Sequence, residues 1–215
     1  MGQMITKVAP LILNEALWST AITFQNQCYS TCGLAVVSAL NIVTTLNNMA
    51  TVAASAIGNT VGILMGQMLG AGRPKEEVRS DNQKLMLFAF VIGGVFGVLM
   101  ACSAVFFPNL YNTSQAIRDL AAGMILITAA TKSFQSYHMS VFFTIRSGGL
   151  AFWTLLYDCG YLWLLVVPLT FAVCHFSGLP FLVIYGISLL PELLKCVFGV
   201  CLLRKAPWIR NLTLH

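Results

Sequence analysis

Apolar residues fall in six blocks, roughly 9–30, 34–70, 84–106, 117–143, 149–174 and 180–203. Each is long enough for a bilayer-crossing helix, which needs about 20 apolar residues. The breaks between blocks carry turn residues: Cys32-Gly33, then Gly70, Gly72 and Pro74, then Pro108 with YNTS, RSGG at 146–149 and SGLP at 177–180. The pattern predicts an all-α, polytopic membrane bundle of six transmembrane helices. Residues 1–215 form a single lobe in this reading, with no linker, low-complexity stretch or soluble domain. At 1.5 Å per residue the second block would measure about 55 Å, against a hydrocarbon core of about 30 Å. It must tilt, bend or protrude, and Gly58, Gly62, Gly66 and Gly70 give it places to bend.

Two stripes run along that second block. Ala50, Ala54, Gly58, Gly62, Gly66 and Gly70 recur every four residues, a small-xxx-small pattern that lets another helix backbone come close. Gly93 and Gly97 repeat it more weakly in the third block. Asn41, Thr44, Asn48, Thr51, Ser55 and Asn59 share a neighbouring face, roughly 100° around the helix. The first block adds Asn14, Ser19, Gln25 and Asn26, and the fourth adds Thr128, Thr131, Gln135 and His138. Polar groups inside a bilayer must face protein or water. Three polar-faced helices therefore predict a water-accessible pathway. Its expected lining is Asn14, Gln25, Asn41, Asn48, Ser55, Asn59, Thr131, Gln135 and His138.

Composition sharpens the class. Of 215 residues, 58% are hydrophobic and 9% charged, against about 25% charged in soluble domains. The first block follows only Lys7 and holds Asn14, Glu15 and Gln25 without a small-residue cleavage site, so it reads as a span and not a signal peptide. Seven cysteines lack CxxC or zinc-type spacing and read as buried thiols; no metal or cofactor is expected. The net charge of +5 is scattered between blocks, which argues against nucleic acid as a partner.

The placement of those charges fits membrane topology. On the side of the N-terminus lie Lys7, Arg73, Lys75, Arg79, Lys84, Arg146, Arg204, Lys205 and Arg210, and on the other side Arg118 alone. This bias puts both termini in the cytoplasm of a cell-membrane protein. GAGRPK is then a cytoplasmic turn. It is no phosphate loop, because GK[ST] and the third glycine of GxGxxG are missing and no strand precedes it. No GxSxG, HExxH or His/Asp cluster predicts an enzyme.

Charges at span depth cost about 2.5–3.5 kcal/mol each on insertion scales, so each should be paired or functional. Glu15 has no base nearby in its own helix and is the first candidate for a titrating or cation-binding carboxylate. Asp158 is the second, with pairing to Lys132 as its structural alternative. Glu192 and Lys195 are spaced i,i+3 and are expected to pair with each other. His138 can titrate near neutral pH or simply be hydrogen-bonded.

MGQMLGAGRPKEEVR resembles the Gly-Ala-Gly cytoplasmic turn of the multidrug and toxic compound extrusion family. PLILNEALWSTAITFQNQCYSTCG, FFPNLYNTSQAIRDLA and FFTIRSGG followed by FWTLLYDCGYLW are similar to the carboxy-terminal lobe of its bacterial members. The resemblance covers nearly the whole chain and rests on the order and spacing of these segments. It implies one of two pseudo-symmetric six-helix lobes, corresponding to helices seven to twelve, with alternating access between them. It also implies export of organic cations or drugs in exchange for protons or sodium ions. Some members place a coupling acid in helix seven, the helix that holds Glu15, and Asp158 carries over within LLYDCGYLW. The absent first lobe implies a partner lobe or a second copy, in contact with membrane lipid. The alternatives are a flippase of lipid-linked sugars or another metabolite exporter of similar architecture, favoured by a more basic cavity, and a transport-inactive membrane fragment.

Overall fold

The computed structural model describes residues 2–205 and 208–209, with side chains described from Ile12 onward. Six long helices make up the fold: α1 (Gly2–Ser30), α2 (Leu34–Gly70), α3 (Lys75–Ser103), α4 (Gln115–Ser147), α5 (Ala151–Phe176) and α6 (Phe181–Lys205). No strand occurs among the described residues. Four helices, α2, α3, α5 and α6, are long and apolar enough to cross a membrane. α4 falls short because it carries Arg118, Asp119, Lys132 and Arg146 among many hydroxyls. Its position explains that composition, since it packs against α2, α3 and α6 and needs little apolar surface toward lipid.

The connections follow from local chemistry. α2 ends where Gly72 adopts φ 66°, a left-handed conformation that costs glycine nothing. The Arg73 N–H then reaches back to the Met68 carbonyl at 3.3 Å and closes the helix end. Pro74 precedes α3, and Glu76 and Glu77 stand in its first turn, where carboxylates suit the helix dipole. α3 thus begins well before the apolar block at 84, because KEEVRSDNQ is helical as well.

Glycines fix the helix spacing. A Cβ on Gly58 would meet the Met139 backbone at 3.1 Å, and one on Gly62 the Phe143 carbonyl oxygen at 3.1 Å. These contacts advance together along both chains, so α2 and α4 run parallel. On the other flank a Cβ on Gly93 would lie 2.8 Å from the Lys132 carbonyl oxygen, and one on Gly97 2.6 Å from that of Ala129. Here the contacts run oppositely, so α3 is antiparallel to α4. α4 is held between two glycine stripes, and the shorter one packs more tightly.

The two larger of three apolar clusters among the described residues lie at opposite ends of the interior. One gathers Val61, Met65, Met86, Ile145, Tyr157 and Leu202 at the end where α2 stops and α3 begins. The other gathers Tyr29, Ile42, Met100, Met124, Ile125 and Tyr185 at the opposite end. Between them α2, α4 and α6 place Asn47, Asn48, Gln135, His138, Glu192 and Lys195, so the polar chemistry occupies the middle of the bundle.

Candidate functional site

Backbone irregularities at mid-depth build the site. In α5 the turns Leu156–Gly160 and Leu162–Val166 are widened to i→i+5 hydrogen bonding, a local bulge that recurs at functional sites. It carries Asp158 and Cys159. In α6, Pro191 lies inside the helix, and its missing N–H interrupts the ladder one residue before Glu192. The Pro191 carbonyl accepts a 2.6 Å hydrogen bond from the Tyr161 hydroxyl, which joins the two disturbed helices.

Three helices meet at Asp158. Lys195 Nζ on α6 donates to Asp158 Oδ1 at 3.0 Å, and Asn14 Nδ2 on α1 donates to Oδ2 at 3.2 Å. Lys195 also lies 5.3 Å from the centre of the Tyr157 ring, whose negative face suits a cation. The Cys159 thiol donates to the Asn14 carbonyl at 3.1 Å. A second group surrounds Lys132, which is 2% exposed. Its ammonium donates to Gln135 Oε1 at 2.6 Å and to Asn47 Oδ1, and Gln135 Nε2 reaches Thr51 Oγ1 at 3.4 Å. A third pair joins His138 Nε2 to Glu192 Oε2 at 3.7 Å. That carboxylate oxygen is buried and has no hydrogen-bond partner among the described residues. A buried carboxylate oxygen without a donor is costly, and a water, an ion or a proton from the adjoining cavity would satisfy it.

The groups open onto one cavity of about 240 Å³, walled by α1, α2, α4, α5 and α6. Its lining includes Gln25, Asn48, Gln135 and His138, four of the lining candidates, together with the ion-coupling candidate Asp158. Asn14 sits just behind, bonded to Asp158. Asn41 and Asn59 are exposed on α2, Ser55 is half-buried there, and the Thr131 hydroxyl donates to its own helix at the Thr128 carbonyl. The structure does not bring these four to the wall.

Three expectations about charges need correction. Glu15 is not buried by this lobe: it is exposed, while its neighbour Asn14 turns inward, because adjacent residues point about 100° apart on a helix. Glu192 and Lys195 do not pair along α6. Glu192 stands beside His138 instead, and Lys195 reaches Asp158. Lys132 does not pair with Asp158, since it is satisfied by Asn47 and Gln135. The sequence reading missed Asn47, Tyr161 and Ser188 in the lining. Asn47 was signalled by the paired asparagines of LNNMA. Tyr161 and Ser188 stand out only once the helices are packed.

The MatE family model matches residues 10–171. Among curated proteins nothing matches. The chain is also similar to a solved MOP superfamily transporter from Pyrococcus furiosus Vc1 (DSM3638), described as having a binding pocket of reverse polarity that suggests a different function. The two share 14% identity with a TM-score of 0.82, over 96% of this chain and 46% of that one. The chain spans about half the length of this solved relative, and at this identity the likeness speaks for the fold.

Proposed function

The chain belongs to the MatE family of membrane transporters, and on that premise we propose that it supplies the C-terminal six-helix half of a secondary antiporter. It exports organic cations or drugs in exchange for protons or sodium ions, with all six helices crossing the cell membrane and both termini in the cytoplasm. The observation that carries this reading is the orphaned Glu192 oxygen beside His138, at mid-depth and in the cavity wall. A carboxylate oxygen left without a donor in a cavity wall can take a donor or a cation from the cavity, and the His138 imidazole stands 3.7 Å away. Asp158 is the second acid of the cavity, held by Lys195 until a competing cation loosens the pair. The cavity of about 240 Å³ is smaller than the 300–1,000 Å³ of drug-sized sites, as half of a two-lobe site would be.

Lys132 and Lys195 favour a second reading. They balance Glu192 and Asp158, so the wall is close to neutral, not acidic. A substrate bearing an anionic group, as for a lipid-linked sugar flippase or another metabolite exporter, fits a wall that holds the Lys195 ammonium, with Lys132 buried behind it.

The test is ion-driven efflux in proteoliposomes, with the chain joined to a family first lobe and a fluorescent organic cation as probe. Glu192→Gln is expected to abolish coupled efflux without loss of folding, and Asp158→Asn to reduce it. Unchanged efflux by Glu192→Gln would defeat the assignment and return attention to Glu15. Efflux of an anionic probe in preference to the cation would establish the second reading.

A further inference from the structure

On the far side of α4 from the polar cavity lies a second, apolar groove of about 480 Å³, between α3 and α6. Phe134 and Tyr137 of α4 form its floor, while Gln135 and His138, one residue on from each, face the other cavity. Its walls are Leu87 and Phe90 from α3 and Leu193 and Val197 from α6. Two arginines, Arg79 and Arg204, line the same groove.

We propose that this groove is a binding site for an anionic phospholipid, with an acyl chain between α3 and α6 and the phosphate held by Arg79 and Arg204. The register of the helices is the first support. Phe90 is 11 residues from Arg79, and Leu193 is 11 residues from Arg204. At 1.5 Å per residue each interval is about 16 Å, close to half of a hydrocarbon core of about 30 Å. α3 begins and α6 ends at the basic end, so both arginines stand at one level and both apolar walls descend from it. That is the layout of a single leaflet, headgroup above and chain below.

Charge is the second support. Arg79 and Arg204 are exposed, and neither forms an ion pair among the described residues. The nearby Asp81 is engaged by Lys84 at 3.1 Å. A guanidinium fork matches a phosphate bidentately, and basic pockets between helices at the cytoplasmic surface recognise anionic headgroups. The surroundings are the third support. Phe88 and Val91 beside the groove on α3, and Leu190 and Leu194 on α6, are exposed, so the groove opens sideways onto an apolar surface. A chain can enter from the bilayer without crossing water. Trp208 closes the basic end; it is 1% exposed and its indole N–H is bonded to the Leu203 carbonyl at 2.8 Å. The site is separate from the transport cavity and rests only on the helices crossing a membrane, whatever the substrate.

The test uses the full chain in mild detergent, with native mass spectrometry and thermal unfolding. Dioleoyl phosphatidylglycerol should remain bound and raise the melting temperature, whereas dioleoyl phosphatidylcholine and inorganic phosphate should do neither. Arg79→Ala with Arg204→Ala should weaken phosphatidylglycerol retention at least tenfold, and the double lysine variant should retain part of it. Val197→Trp, which fills the groove and leaves both arginines, should also lose the lipid while keeping normal helix content. Equal retention of the two lipids, stabilisation by inorganic phosphate alone, or undiminished binding by the double alanine variant would each overturn the proposal.

Discussion

Asp158 and Lys195 form a 3.0 Å ion pair across 37 residues of sequence, tying α5 to α6 at the middle of the bundle. Both side chains are largely buried, at 15% and 9% exposure. Removing one charge of a buried pair leaves the other uncompensated, at about 3–5 kcal/mol. Asp158→Asn should therefore lower stability by that order in detergent unfolding. The double variant Asp158→Asn with Lys195→Met should recover most of the loss, because no unpaired charge remains. If Asp158→Asn unfolds like the parent, the pair contributes nothing to the fold.

The glycine contacts predict effects of opposite sign at positions of the same type. A Cβ at Gly97 would sit 2.6 Å from the Ala129 carbonyl oxygen, which is backbone and cannot move aside cheaply. Gly97→Ala should cost about 1–3 kcal/mol by overpacking. At Gly66 the nearest atom, Ser147 Cβ, is 3.8 Å away, an ordinary contact. Gly66→Ala should be neutral or stabilise by up to about 1 kcal/mol, since alanine is the better helix former. Thermal unfolding of the two variants side by side checks the order, and equal losses would mean that α3 and α4 are less tightly apposed than the contacts indicate.

Much of the fold was legible in the pattern of apolar blocks, since block length and Gly/Pro turns locate helices well. The second block, 34–70, coincides with α2 to the residue because Gly33 and Gly72 stop it on either side. The boundary of α3 was missed because its first turns are charged, and a helix that projects past the apolar layer has no reason to be greasy there. The candidate site was legible in kind more than in wiring. That Asp158, Glu192 and Lys195 needed partners followed from their depth. Which partners they found depended on the widened turns in α5 and on which helices pack beside them, and these are properties of packed helices. Glu15 misled for a related reason: spacing gives the angle between two residues on a helix, but not which of them faces the neighbour.

Topology gives a third prediction. α2 runs parallel to α4 and antiparallel to α3, as alternating crossings require. Pro74 between α2 and α3 and Thr113 ahead of α4 should then lie on opposite sides of the membrane. Reporter fusions at the two positions should give opposite signals, with Pro74 on the cytoplasmic side. Signals from the same side would mean that α3 does not cross.

The exposed polar face of α2, part of which also lines the cavity, supplies the last prediction. Asn41, Thr44, Thr45, Asn48 and Asn59 are exposed on it, and Glu15 is exposed on neighbouring α1. Thr45 turns its hydroxyl back onto the Asn41 carbonyl of its own helix at 2.9 Å, which spares it a partner. Each asparagine amide carries two N–H donors and a carbonyl acceptor, and in lipid each unpaired group costs on the order of a kcal/mol or more. These side chains need protein or water beside them, and alternating access needs a second body that rocks against the first. The solved relative, of which this chain covers 46%, has room for such a body. The chain by itself should therefore associate, either with a separate first lobe or with a second copy about a twofold axis that places two α2 faces together. Mass measurement in mild detergent should show a dimer or a mixture of oligomers, and co-expression with a family first lobe should convert it to a single complex. Asn48→Leu should weaken that complex more than Val52→Leu, since Val52 is 70% exposed on the same helix but already apolar. A monodisperse monomer that drives uphill transport of a fluorescent cation would show that one lobe suffices and that the exposed amides face water.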